Sequence, residues 1–140
     1  MTSTNNIELQ EKGLEAAARY LYRKGCDVLR KSTDEKSGKH YVIARDGMNV
    51  VVAEVHTRPN TGNGMPEETN RTALRRRLEK VALEFLADYD EVDLGVRLDT
   101  IDIVVIGEDR AMIRHAIGIA NMNDERERDE RVVAEQEDDE

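Results

Sequence analysis

Two β-branched runs on either side of an Asp-Gly pair constrain the middle of the chain, at residues 38–58. Residues 41–43 and 50–52 favour β-strands because β-branched side chains suit a pleated surface. Asp46-Gly47 favours a tight type I′ turn, in which both central residues take a positive φ. The sequence therefore predicts an antiparallel β-hairpin.

The predicted turn also sets the pairing of the two strands. With Asp46 and Gly47 as the loop, Tyr41 should lie opposite Val52, and Lys39 should lie opposite Glu54. Opposed residues project to the same face of a hairpin. We therefore expect a polar cluster on one face, consisting of Lys39, Tyr41, Glu54 and His56.

Hydrophobic periodicity predicts the remaining elements. Residues 7–24 form an amphipathic helix, and a strand follows Gly25. A long helix is expected over 66–89, and two further strands over 95–107 and 111–119. Both faces of the hairpin carry apolar residues, which is typical of a central strand pair. The order α, β, β, β, α, β, β predicts an α/β protein with a mixed sheet between helices.

The length and the charge distribution predict one folded domain and a tail. A chain of 140 residues with 39% apolar content can build one core. Ten acidic and three basic residues give residues 121–140 a net charge of −7, which leaves −2 of the total of −9 for residues 1–120. We expect residues 1–120 to form the domain and residues 121–140 to be a disordered acidic tail.

The hairpin strands read GKHYVIA and VAEVHTR, at 38–44 and 52–58. Four more motifs accompany them: GLEAAARYL (13–21), RKGCDVL (23–29), GMPEE (64–68) and VRLDTI (96–101). In order and spacing, these motifs resemble the YraN proteins, a family of predicted endonucleases related to Holliday junction resolvases and restriction endonucleases. The resemblance covers about residues 10 to 120. It implies a restriction endonuclease-like fold, in which helices flank a mixed sheet in three layers.

The resemblance also implies that the catalytic site is degenerate. Family members carry GEIDLIA and FVEVKTR on the hairpin, so the metal-binding Asp falls at Tyr41, its Glu at Lys39 and the catalytic lysine at His56. The Glu of the family's first helix falls at Leu14. Only Glu54 remains where the family has a ligand. Magnesium prefers several oxygen ligands, so standard Mg²⁺-dependent cleavage is expected to be lost. No cofactor is expected, unless activity persists with Mg²⁺ or Mn²⁺.

Three interpretations of the cluster stay open. In the first, Lys39 and Glu54 form a cross-strand ion pair with His56 nearby. In the second, Glu54 and His56 ligate a transition metal such as Mn²⁺ or Zn²⁺. An active endonuclease with a rearranged site would use these two residues with Glu15 or Asp99. In the third, the cluster is a pocket that accepts phosphate without cutting it.

Basic residues supply candidates for nucleic-acid contact. Lys39, Arg58 and Arg97 are the candidates for a phosphate pocket. The predicted long helix has a buried stripe of Leu74, Leu78, Val81, Phe85 and Leu86. Its opposite face is basic and contains Arg71, Arg75, Arg76, Arg77 and Lys80. This face either is solvated and paired with nearby glutamates or contacts a nucleic-acid backbone. The resemblance places a lysine of the family's helix at Leu74.

These observations leave three candidate functions. The first is a nucleic-acid-related role, with DNA or RNA as partner, without standard cleavage. The second is an active endonuclease with a rearranged site, and the third is a module whose acidic tail binds a protein partner. The chain has no apolar run of about 18 residues and no signal-peptide pattern, so no membrane partner and a cytoplasmic location are expected. Cys26 stands alone and is expected to be a buried thiol.

Overall fold

The computed structural model describes residues 3–60, 70–89, 93–107, 110–121 and 131–138. These residues form two helices and six strands. In chain order they are α1 (Ser3–Arg23), β1 (Asp27–Asp34), β2 (Lys39–Asp46), β3 (Asn49–Pro59), α2 (Arg71–Leu86), β4 (Gly95–Val105), β5 (Arg110–Asn121) and β6 (Arg131–Asp138).

The six strands form one mixed sheet in the order β1-β2-β3-β4-β5-β6. Only β3 and β4 run parallel, and α2 lies in the crossover between them. Helix α1 packs on one face of the sheet and α2 on the other, so each helix covers its own apolar core. The expected three-layer α/β architecture of the restriction endonuclease-like fold is therefore confirmed.

The hairpin forms, but its pairing differs from the predicted pairing by two residues. Asp46 pairs with Asn49, so the loop is Gly47-Met48, and Tyr41 lies opposite Glu54. Gly47 has a φ of 62°, whereas Met48 is not among the residues with positive φ. A type II′ turn needs positive φ only at its first central residue, which explains why the loop begins at the glycine. Because a shift of two preserves the alternation of faces, the predicted grouping of side chains survives.

Helix α2 begins later than the pattern predicts. Asn70 caps it, since its side-chain oxygen accepts a hydrogen bond of 2.9 Å from the amide of Ala73. The predicted start at Pro66 lies outside the described residues. The buried stripe consists of Leu74, Leu78, Ala82 and Phe85. Val81, which the pattern placed in that stripe, packs against the core only in part.

Helix α1 lies very close to β3. A Cβ at Gly13 would lie 1.9 Å from Oγ1 of Thr57, so only glycine permits this approach. Cys26 follows α1 and is buried, and burial raises the pKa of its thiol. In the part of the chain that the structure describes, no helix is long and apolar enough to cross a membrane.

Part of the acidic C-terminal segment belongs to the sheet. Arg131–Asp138 pairs antiparallel with β5 as the edge strand β6. For these eight residues the structure has a strand where the sequence predicted disorder. Pairing with a sheet edge uses backbone groups, so a strand can form despite dense side-chain charge. The domain boundary at residue 120 stays a prediction.

Candidate functional site

Three of the four predicted hairpin residues form a hydrogen-bonded cluster under α2. Glu54 is fully buried, and its Oε2 accepts a hydrogen bond of 3.0 Å from the hydroxyl of Tyr41. His56 bonds to the same carboxylate. Lys39 does not pair with Glu54, because the observed register places Tyr41 opposite that residue. The predicted Lys39–Glu54 ion pair is therefore wrong.

Arg77 of α2 supplies the cation that Glu54 needs. Its Nε donates to Oε2 and its Nη2 donates to Oε1, both at 2.9 Å. Such a bidentate contact fits the planar guanidinium to a carboxylate. Burial alone would raise the pKa of Glu54, but the hydrogen bonds from His56 and Arg77 outweigh it and lower the pKa to about 2. Burial and the adjacent Glu54 raise the pKa of Tyr41, so its hydroxyl stays protonated.

His56 lies between two carboxylates. Its Nε2 is 2.6 Å from Oε1 of Glu54, and its Nδ1 is 2.8 Å from Oδ1 of Asp102. The parallel pairing of β3 and β4 places Asp102 directly beside His56. An ionised carboxylate only accepts, so both ring nitrogens donate and the ring is an imidazolium. Burial opposes this charge, but the bonds to Asp102 and Glu54 raise the pKa of His56 to about 9.

Arg114 of β5 completes this set, which we call the Glu54 network: Tyr41, Glu54, His56, Arg77, Asp102 and Arg114. Arg114 donates to Oδ2 of Asp102 through Nε at 3.0 Å and Nη2 at 2.5 Å. Three cations and two carboxylates give the network a net charge of +1 at neutral pH. The His56 side chain is 18% exposed and the Arg77 side chain 25%, so part of this charge reaches solvent.

The residues of the network do not fit a magnesium ion. Each oxygen of Glu54 already accepts two hydrogen bonds, and a guanidinium lies where a cation would bind. Within the described ranges, no group of three His, Cys, Asp or Glu residues could hold a metal ion. Glu15 pairs with Lys31 at 2.5 Å and is 55% exposed, away from Glu54. The structure therefore does not assemble the rearranged metal site.

Asp99 lies on the opposite face of the sheet, in what we call the Asp99 network: Tyr20, Asp46, Arg97, Asp99 and His115. Asp99 is fully buried and accepts from Nε2 of His115 at 2.8 Å and from Nη2 of Arg97 at 3.0 Å. Burial opposes ionisation, but these partners lower the pKa of Asp99. The other ring nitrogen of His115 bonds to the hydroxyl of Tyr20 in α1 at 2.8 Å.

The Asp99 network closes an irregular part of the sheet. The β4–β5 register shifts between Leu98 and Thr100, and Gly118 in β5 has a φ of 67°. The amide of Gly118 donates to Asp99 at 2.9 Å. Asp99 therefore accepts a hydrogen bond from the backbone at this bulge, and it is not a ligand of the Glu54 site. Arg97 bonds to Asp46 and Asp99 on the face opposite Glu54, so it cannot belong to the expected phosphate pocket at the hairpin cluster.

The remaining predicted nucleic-acid residues fall on β3 and α2. Arg58 is half-buried near the end of β3. On α2, Arg71, Arg76 and Lys80 are exposed, and Arg75 forms the expected i to i+4 pair with Glu79.

The sequence pattern places Arg77 on the basic face of the predicted helix, opposite the buried stripe, but its guanidinium bonds to Glu54 in the Glu54 network. The signal was its position three residues after Leu74 and four before Val81, on the edge of the buried stripe. Leu74, where the resemblance places a lysine, packs in the core instead. Asp102 was missed as well, although an acidic residue inside a strand buried on both faces requires a partner.

Comparison with known proteins places the chain among relatives without an assigned function. The model of the uncharacterised protein family UPF0102 matches residues 13–106. A UPF0102 protein of Geobacter sulfurreducens is 31% identical over 113 residues, which cover 81% of this chain and 88% of that protein. One of Rhodococcus jostii is 31% identical over 79% of this chain and 94% of its own length. One of Geotalea daltonii is 34% identical over 71% of this chain and 79% of its own length. No solved structure matches the chain significantly.

Proposed function

This chain belongs to the UPF0102 (YraN) family, and from that premise we propose that it binds nucleic acid without standard magnesium-dependent cleavage. The observation that carries the proposal is the bidentate contact of Arg77 with Glu54. Glu54 is the one family ligand position that keeps its carboxylate. A metal could reach it only after Arg77 moved away and gave up both hydrogen bonds to the carboxylate.

The charge of the Glu54 network supports binding of a phosphate group. A metal site concentrates carboxylates and recruits a cation, whereas this network already carries a net charge of +1. His56 stands where the resemblance places the catalytic lysine, and its raised pKa keeps a positive charge there at neutral pH. A phosphodiester beside Arg77 and His56 would therefore meet cations directly.

The exposed face of α2 extends this positive surface. Arg71, Arg76 and Lys80 lie on the same helix as Arg77 and project into solvent. Lysine and arginine contacts to phosphates supply most of the affinity of nucleic-acid binders, even where the total charge of the chain is negative. The acidic segment as a site for a basic protein partner remains the alternative.

A binding and cleavage assay tests the proposal. Duplex, single-stranded and branched DNA, and RNA, are incubated with the protein in Mg²⁺ or Mn²⁺, beside Glu54→Ala. We expect binding at low salt, no cutting, and affinity that falls steeply as salt rises. Cutting that Glu54→Ala abolishes would refute the loss of cleavage. Neither cutting nor binding would favour the protein-interaction module.

A matched pair of variants locates the binding surface. Arg76→Gln with Lys80→Gln removes two charges from α2, and Lys12→Gln with Lys36→Gln removes two exposed charges elsewhere. We expect the first pair to lower the slope of log affinity against log salt by about 2, and the second pair to leave it unchanged. Equal effects would mean that α2 is not the binding surface.

A further inference from the structure

An open groove lies between the first half of α1 and the ends of β2 and β3. It encloses about 560 Å³, a volume within the range of sites for small organic ligands. Ile7 and Leu14 line it from the helix, and Lys39, His40 and Val55 line it from the strands. Glu11 lines it as well, so the groove combines an apolar wall with an imidazole ring and with charged residues of both signs.

Contacts between the elements hold the walls of the groove in place. Nε2 of Gln10 donates to the carbonyl oxygen of Thr57 at 3.2 Å, which fastens α1 to β3. Gly13 allows the helix backbone to approach the Thr57 side chain. On the strand side, Nδ1 of His40 bonds to Oγ1 of Thr33 at 2.8 Å. The groove is thus preformed, so a ligand need not order its walls.

The groove borders the Glu54 network. His56 lines the groove and also bonds to Glu54 and Asp102. Burial lowers the pKa of His40, so its ring is uncharged at neutral pH and offers a flat face for packing. A ligand in the groove would therefore meet apolar and aromatic surface between α1 and the strands, with Lys39 at the strand end of the groove.

We propose that this groove binds one unpaired nucleotide of a single-stranded nucleic acid, an inference that rests on the proposed function. The base packs against Ile7, Leu14 and the ring of His40, while the ammonium of Lys39 contacts its phosphate. Histidine rings and apolar side chains commonly receive splayed bases in single-strand recognition. Bases in a duplex are paired and stacked, so they cannot enter a groove of this shape.

Two single substitutions and two matched controls test the groove. Ile7→Gln removes apolar surface from the wall, and Tyr22→Gln does the same elsewhere on α1. Both side chains are exposed, at 55% and 72%, so neither change should impair folding. Lys39→Gln removes a positive charge from a residue that lines the groove, and Lys12→Gln removes an exposed charge elsewhere. The ligands are a short labelled oligonucleotide, its duplex and a free nucleoside monophosphate.

We expect Ile7→Gln to weaken single-strand binding about fivefold and to leave duplex binding within about twofold. Lys39→Gln weakens single-strand binding, and both controls match the wild type. If Ile7→Gln does not change the affinity for single strands, the groove is not the binding site, but the proposed function still stands. Equal losses for both DNA forms, or displacement of the oligonucleotide by equimolar mononucleotide, would overturn the unpaired nucleotide as its ligand. Failure of the wild type to bind any nucleic acid would overturn both proposals.

Discussion

Each face of the sheet has a fully buried carboxylate that bonds to an arginine and a histidine, but the surroundings of the two carboxylates differ. Asp99 bonds to His115, which is buried and turns its second nitrogen to a tyrosine. Glu54 bonds to His56, which is partly exposed and turns its second nitrogen to another carboxylate. The same residue types therefore form a buried structural network around Asp99 on one face and a charged, partly exposed site around Glu54 on the other.

Removal of the Asp99 carboxylate should have the largest effect on stability. Asp99→Asn removes the negative charge that buried His115 and partly buried Arg97 face, and it puts an NH₂ group in place of one acceptor oxygen. We therefore expect the free energy of unfolding to fall by about 3–5 kcal/mol in urea denaturation. Asp46→Asn, at the half-exposed end of the same network, should cost less than about 1 kcal/mol. Similar losses of stability in both variants would show that Asp99 is not the central residue of the Asp99 network.

Removal of the Arg77 guanidinium should lower stability somewhat less than removal of the Asp99 carboxylate, and it should also weaken nucleic-acid binding. In Arg77→Met, Glu54 keeps its bonds to His56 and Tyr41, so we expect a loss of about 2–3 kcal/mol. The pair Glu54→Gln with Arg77→Met should recover most of it, while exposed Arg76→Met should change stability by less than about 0.5 kcal/mol. Unlike Asp99→Asn, Arg77→Met should weaken nucleic-acid binding by the folded protein. Unchanged binding would make both networks purely structural.

The pH dependence of stability should separate the two faces with a smaller effect. His56 titrates near 6.5 when unfolded and near 9 when folded, so its contribution is complete below pH 6.5 and is lost as pH rises through 9. Glu54 and Asp99 have lowered pKa values, so the contributions of these two carboxylates are lost only as pH falls. We expect an alkaline loss of about 2 kcal/mol by urea denaturation, absent in His56→Lys. If the wild type and His56→Lys lose the same stability at alkaline pH, His56 is not a charged imidazolium in the folded protein.

The sequence predicted which side chains share a face better than which residues pair. Tyr41, Glu54 and His56 meet as predicted, although the loop is Gly47-Met48 and not Asp46-Gly47. Both loops contain a glycine that supplies a positive φ, so local turn chemistry cannot choose between them. The two registers differ by two residues, and that difference leaves the alternation of faces unchanged.

Local sequence patterns could not identify the residues that bond to Glu54 and His56. Arg77 follows two other arginines, and only its position beside Leu74 marks it as an inward residue. Asp102 is adjacent to His56 because β3 and β4 pair in parallel, with a specific register that residues far apart in the chain must establish. Periodicity predicts each element and its buried side, but it does not predict how distant elements align.

The spacing of the Glu54 contacts along the chain has a consequence for folding. Tyr41 lies 13 residues from Glu54, whereas Arg77 lies 23 residues away and Asp102 lies 46 residues from His56. The hairpin can thus form early, but the charge of Glu54 is neutralised only after α2 and β4 close the crossover, and such non-local closure is slow. Until then, burial of the glutamate is unfavourable. The strand that defines the site is therefore one of the last to be shielded from water.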